Sequence, residues 1–194
     1  MTTTIPTFTT KRLLLRPVSE SDIPAYTRYF VDYEVIRHLA TAVPWPYPDD
    51  GVSDFVRHRL LPQLGHDRWA WAITLQHNPA ELIGLVDLWR PGTPENRGFW
   101  LGRPFWGQGI MTEAVTAVND YAFDQLGFDK LIFSNAKGNV PSQRIKEKTG
   151  ARLIGVEPAA FVDPQYMERE LWELTKEMWQ ALRQESEQNE VRAE

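Results

Sequence analysis

The stretch Trp106-Gly107-Gln108-Gly109-Ile110-Met111-Thr112-Glu113-Ala114 is the part of this chain best suited to chemistry. Two glycines two apart let a turn aim several backbone N–H groups at one point, because no Cβ blocks the approach. Helical spacing follows, and a helix start adds unsatisfied N–H donors and the positive end of the dipole. Such donors can cradle a pyrophosphate; a tight loop without a ligand is the plainer reading of a lone GxG pair. Two familiar phosphate loops are excluded. A P-loop ends in Gly-Lys-Ser/Thr, and here Ile110 follows Gly109. A dinucleotide fingerprint needs a third small residue at Thr112 and an acidic residue closing the next strand, which Lys130 to Ala136 lacks.

Other reactive side chains are few. There is no cysteine, so disulfides, cysteine metal sites and a cysteine nucleophile are excluded. His38, His58, His66 and His77 have no metal-ligand spacing, so no metal is expected. The net charge of −5 argues against a nucleic-acid surface and suits a cationic partner such as an amine. No run of 18 apolar residues occurs, so no membrane span is expected. Met1 to Thr10 lacks the basic start and apolar stretch of a signal peptide, which makes cytoplasm the expected location.

The elements that must position the glycine turn follow from periodicity. At 194 residues the chain fits one domain, read as 1–182 with a polar, frayed tail over 183–194. Arg12 to Pro17 reads as a strand, and Ser19 and Asp22 have capping-box spacing ahead of a helix carrying Ile23, Tyr26 and Phe30. Pro44-Trp45-Pro46-Tyr47-Pro48 is a stiff aromatic loop, since alternate prolines remove donors. Val52, Phe55, Val56 and Leu60 form a second helical stripe. Strands are expected over Trp69 to Leu75, Leu82 to Trp89 (closed by Pro91-Gly92) and about Arg97 to Leu101, as an antiparallel meander. Met111, Val115, Val118, Ala122 and Leu126 then step at helical intervals to a stop at Gly127. Lys130 to Ala136 is a strand, Val140 to Thr149 a short helix, and Ala151 to Val156 and Met167 to Leu174 are the last strands. The class is α/β or α+β.

In order and spacing, these pieces resemble the GNAT acetyltransferases, within them the branch of ribosomal-protein N-acetyltransferases typified by RimJ and RimL. The resemblance runs from about Thr10 (TKRLLLRP) to about Leu182. It includes PWPYP, GFWLG, WGQGIMTEA and Asn139-Val140-Pro141-Ser142 ahead of Glu147-Lys148-Thr149-Gly150. It implies a mixed, mostly antiparallel sheet of about six or seven strands with four or five helices. The sheet splays between its fourth and fifth strands to take acetyl-CoA. Carried over, the N–H groups of Gly107, Gln108, Gly109, Met111 and Thr112 hold the pyrophosphate, and the backbone of Trp100, Leu101 and Arg103 pairs with the pantetheine arm. Asn139 hydrogen-bonds that arm or caps its helix, and Ser142 lies near the thioester sulfur or is a first-turn residue only. Arg144 and Lys148 share a helix face that meets the CoA phosphates or solvent.

Acetyl transfer needs positioning, a polarised carbonyl and proton removal from the amine. Without cysteine, direct attack in a ternary complex is the expected route. The chain departs from the family pattern at four places. Trp106 and Met111 replace the usual first and last residues of the pyrophosphate motif, and Lys146 stands where many members carry a tyrosine acid. Asn96 stands where relatives carry a glutamate base, with Glu95 expected on the other strand face. Ser142 and Asn96 are therefore the catalytic candidates. An α-amine titrates near 8 and a lysine near 10.4, so roughly 10% of the former and under about 0.1% of the latter is neutral at pH 7. A weak base thus favours a protein N-terminus as acceptor, with Trp45 and Tyr47 lining its approach and Asp87 or Glu95 attracting the cation. A small amine (polyamine, amino acid or aminoglycoside) and a non-catalytic acyl-CoA sensor are the alternatives. The expected form is monomer or homodimer, because Trp89, Phe99 and Trp100 suit core or contact.

Overall fold

The computed structural model describes residues 4–90 and 95–193, so the expected turn at Pro91-Gly92 lies outside the described residues. Eight strands and six helices alternate along it. In order they are β1 (Phe8–Thr9), β2 (Leu13–Pro17), α1 (Ile23–Phe30), α2 (Tyr33–Ile36) and α3 (Gly51–Asp54), which continues through a π turn and a 3-10 turn to Gln63. Then come β3 (Arg68–Leu75), β4 (Gly84–Trp89), β5 (Arg97–Leu101), α4 (Ile110–Asp124), β6 (Lys130–Ala136), α5 (Val140–Lys148), β7 (Arg152–Pro158), β8 (Glu168–Thr175) and α6 (Lys176–Ala193). The expected strands Arg97 to Leu101 and Lys130 to Ala136 coincide with β5 and β6. The two-residue β1, the short α2 and α6 have no counterpart in the periodicity reading. The tail read as frayed past Leu182 is helical in α6, because its Glu, Gln, Arg and Ala residues are good helix formers even without an apolar stripe.

Strands β1 to β5 form one antiparallel sheet in sequence order, and β6, β8 and β7 form a second in that order. Trp71 lies opposite Val86, and Asp87 opposite Gly98. Helices cover both faces of the larger sheet, so β3 is buried on both sides although its large and small residues alternate. One face carries Trp69, Trp71, Ile73, Val86 and Leu88 against Ala114, Val115, Val118 and Ala122 of α4. The other carries Ala70, Ala72, Leu85 and Trp100 against Tyr26 and Phe30 of α1 and Val52, Val56 and Leu60 of α3 and its continuation.

The sheets meet at a hinge. Asn96 donates its backbone N–H to the Ile132 carbonyl (2.7 Å) and accepts the Ile132 N–H at its side-chain Oδ1 (2.9 Å). Beyond that junction β5 and β6 share no ladder and part company. This is the expected splay, between the last strand of the meander and the strand that precedes α5.

Candidate functional site

The chain reaches the start of α4 through a 3-10 turn at Arg103–Phe105. Gly107 and Gly109 both sit at φ +73°, the left-handed region that only glycine enters without strain. Among the described residues, the N–H groups of Gly107, Gln108, Gly109, Ile110, Met111 and Thr112 meet no acceptor within the chain. A Cβ built on Gly107 points into open space. The turn is braced from outside: Arg12 donates to the Gln108 carbonyl (2.8 Å) and from its Nε to Glu113 (2.7 Å), which also accepts from Thr10 Oγ1 (2.6 Å). Burial works to raise the Glu113 carboxyl, but these hydrogen bonds prevail and hold it below the usual carboxylate range. The one acidic group in the first turn of α4 is thereby paired with a cation and does not repel an anion at the helix start.

The turn opens on a cleft of about 650 Å³ between β5 and β6. One wall is β5 from Arg97 to Leu101; the other is Phe133 to Asn135 of β6 with Asn139 and Ser142 at the start of α5 and Lys146 further along it. At the far mouth Glu34 and His38 to Ala40 face Ala159 to Phe161, tied by a bridge between Ala40 and Phe161. Alternation along the antiparallel pair settles which backbone groups face the gap. Trp89 N–H bonds Asn96 carbonyl and Gly102 N–H bonds Ile83 carbonyl, so even-numbered β5 residues pair with β4. Phe99 and Leu101 therefore present their main chain to the cleft, where the Trp106 indole already takes the Leu101 carbonyl (2.7 Å).

A family model described as the acetyltransferase (GNAT) domain matches residues 12–152 of the chain. The chain belongs to the GNAT acetyltransferase family. It is 26% identical over 149 residues, 76% of this chain and 83% of the relative, to the uncharacterized N-acetyltransferase YnaD of Bacillus subtilis. An acetyltransferase crystal structure from Agrobacterium tumefaciens superposes with TM-score 0.70 at 26% identity, covering 89% of this chain and 96% of that one. RimL, a ribosomal L7/L12 alpha-N-protein acetyltransferase solved in complex with coenzyme A, shares the fold with TM-score 0.73 at 19% identity, covering 88% and 97%. This GNAT protein is thus an N-acetyltransferase whose neighbours include the RimJ and RimL type. Among the described residues no helix is long and apolar enough to cross a membrane, and no group of three or more metal-ligating side chains gathers.

Of the residues singled out in sequence, Trp100, Leu101, Gly107, Gly109, Met111, Thr112, Asn139 and Ser142 all line the GNAT cleft, as do Arg144 and Lys148. Asn139 is also the N-cap of α5, its Oδ1 accepting from Ser142 N–H. Gln108 contributes its amide to the turn, while its side chain bonds Pro104 carbonyl (3.1 Å). The others lie elsewhere. Arg103 points to Asp32 in an ion pair (3.0 Å). Asn96 is consumed by the hinge to Ile132 and is outside the cleft lining. Asp87 is 3% exposed and pairs with Arg68 across β3 and β4. Trp45 and Tyr47 pack on Tyr33 (5.2 Å) and Phe30 (5.5 Å), so the aromatic loop folds back on α1 and α2 rather than onto the cleft.

Four lining residues carry chemistry that sequence reasoning passed over or misplaced. Glu95 precedes the first residue of β5, so strand alternation does not govern it. Its carboxylate faces the cleft with Ser134 (2.5 Å) and Arg169 (3.3 Å). Lys146, 1% exposed, donates from Nζ to Ser142 Oγ (2.7 Å). Burial, reinforced by the Arg97 charge, pushes its ammonium well below the usual lysine range. Arg97, 3% exposed, bonds Asn119 Oδ1 (2.8 Å), and burial pulls it down to about 9. His38 shares a hydrogen bond with the Tyr166 hydroxyl (3.1 Å), and burial, then the neighbouring Arg37, lowers it, keeping the ring neutral at pH 7. A charged residue in phase with Phe99 on the strand, and one four residues after Ser142 on the helix, were the available signals for Arg97 and Lys146.

Proposed function

We propose that this enzyme transfers the acetyl group of acetyl-CoA to the α-amine of a protein or peptide N-terminus, by direct attack in a ternary complex. The observation that carries the reading is the run of six unpartnered amides around the Gly107–Gly109 turn, opening on the β5/β6 gap. These residues fit coenzyme A: convergent donors and a helix start for the diphosphate, and a strand edge at Phe99 and Leu101 for an extended, amide-bearing arm. When bound, acetyl-CoA supplies an acyl group already activated as a thioester.

The chain's own groups do the rest. Glu95, oriented by Ser134 and Arg169, faces the side from which an amine arrives and takes a proton from it. A carboxylate is better matched to an α-ammonium near 8 than to a lysine ammonium near 10.4, which keeps the N-terminus as the favoured acceptor. Lys146 donates to Ser142 Oγ and so fills one of its acceptor sites. The Ser142 hydroxyl hydrogen is left free on the cleft lining, where it would protonate the departing thiolate. The amide of Phe99 or Leu101, on the cleft edge of β5, would stabilise the oxyanion formed from the thioester carbonyl.

The test is turnover on a free N-terminal peptide against the same peptide blocked at its amine but carrying a free lysine. Thiol release from acetyl-CoA is followed for both, and at least a tenfold preference, roughly, for the free N-terminus is expected from the difference in neutral fraction. Preference for the lysine peptide overturns the acceptor; failure of CoA to bind at all overturns the whole reading.

A further inference from the structure

The cleft closes where β5 meets β6 at Asn96 and opens toward the glycine turn. Arg97 therefore stands at the closed end, about 13 Å of extended strand from Leu101. A donor whose diphosphate sits at Gly107–Thr112 points its acyl end at Arg97. We propose that this inner end is an anion site, built by Arg97 with Lys146, which receives a terminal carboxylate on the acyl chain. The donor class it selects is the coenzyme A half-thioester of a dicarboxylic acid. The inference rests on the coenzyme A reading above.

Three observations support it. Both side chains line the cleft and are nine-tenths or more buried, at 3% and 1% exposure. Among the described residues neither cation lies within ion-pair distance of a carboxylate; each bonds only a neutral group, Asn119 and Ser142. Arg97 Nε and Nη2 are buried without any partner. Isolated buried cations are costly, and planar guanidinium donors match a carboxylate. Glu95 and Glu170 favour the Lys146 charge only from a longer range, and Glu170 is bonded to Asn135 Nδ2 (2.9 Å).

The third observation concerns what lies between the cations. Arg97 stacks 3.9 Å from the Phe133 ring centroid and 6.0 Å from that of Phe99. Lys146 Nζ lies 5.4 Å from Phe99 and 5.8 Å from Phe133. Two rings shared by two cations give this end of the cleft an apolar lining beside its positive charge. An acetyl group leaves those donors unmet, whereas a four-carbon chain ending in carboxylate supplies their acceptor.

Succinyl-CoA and butyryl-CoA have acyl chains of equal length and differ in a carboxylate against a methyl group, so calorimetric titration of the intact protein with each isolates the site. Free CoA serves as the reference ligand. Succinyl-CoA is expected to bind at least about tenfold tighter than butyryl-CoA, as charge-assisted hydrogen bonds to a buried cation require. Removing Arg97 alone would orphan Asn119, so the informative variant is Arg97→Leu with Asn119→Leu, which takes away both partners of that bond. It should melt cooperatively, bind free CoA, and reverse the preference toward butyryl-CoA; Lys146→Met should narrow it. Equal or weaker binding of succinyl-CoA by the natural protein, with free CoA still bound, overturns this inference and leaves the acetyl-CoA reading standing. An unchanged preference in the double variant overturns it too, by making Arg97–Asn119 a packing pair. If free CoA does not bind, both fall.

Discussion

Gly107 and Gly127 offer a matched pair of perturbations. Both occupy the left-handed region, at φ +73° and +70°, and a Cβ built on either meets no atom within 4 Å. Replacing either with alanine thus adds the same strain and no clash, about 1–2 kcal/mol for an L-residue held at positive φ. For a protein of this size, each such substitution should lower Tm by roughly 2–8 °C. Only one should touch the ligand. Gly127 follows the last turn of α4, whereas Gly107 carries the first of six amides that have no acceptor among the described residues. An alanine at 107 relieves its strain by rotating toward negative φ, which swings the neighbouring N–H groups away from their common point. Losing one or two charge-assisted hydrogen bonds to phosphate costs about 1.5–3 kcal/mol each, or roughly ten- to a hundredfold in CoA affinity for the first. Melting curves and calorimetric titration with CoA, run on Gly107→Ala and Gly127→Ala together, measure both quantities. Equal Tm losses with CoA affinity cut only in Gly107→Ala are expected. Intact affinity in Gly107→Ala, or an equal loss in both, would refute the cradle.

Ser142→Ala should lower kcat by about ten- to a hundredfold, as for loss of a general acid, while CoA affinity changes little; initial rates and titration separate the two. Lys146→Met should raise Tm in the free protein at pH 7, because a buried cation with only a neutral partner is removed, yet lower kcat by releasing Ser142. The folded-state pKa of Lys146 is depressed, so its cost is greatest while it is forced to carry charge and shrinks as pH rises; the Tm gap from the variant should narrow toward pH 10. Glu113→Gln tests the brace on the glycine turn. The Glu113 carboxyl is depressed in the folded state, so its contribution is present above the ordinary glutamate range near 4.3 and is lost as pH falls through the folded value. Melts should show Glu113→Gln less stable than the natural protein at pH 7 and the difference closing below about pH 4. A gap that persists at low pH would mean that the charge is not what Arg12 and Thr10 hold.

Much of the frame was legible because the signals are local. A change of period from two to three or four placed β5, α4 and β6, and Gly127 stopped α4 as its position implied. Asp22 takes the capping place behind Ser19, its carboxylate accepting the Ser19 N–H (2.9 Å). The differences between the sequence reading and the structure share one cause: they concern which charged or aromatic side chain faces a cavity made by distant segments. Glu95 and not Asn96 lines the cleft because Asn96 is pinned by Ile132, a residue of another sheet. Asp87 was lost to Arg68, and Trp45 and Tyr47 to helices packed beneath their loop.

By itself, then, the sequence determined most of the elements and the glycine turn ahead of α4, since each depends on residues within a few positions of one another, and the order and spacing of those pieces carried the family. Only the tertiary structure decided that β5 and β6 separate past a hinge, that Glu95 rather than Asn96 faces the gap, and that Arg97 and Lys146 are sealed at its closed end. Burial and charge are properties of the space between segments far apart in the chain. Periodicity can say which side of a strand or helix a residue occupies, but not what has been packed against that side.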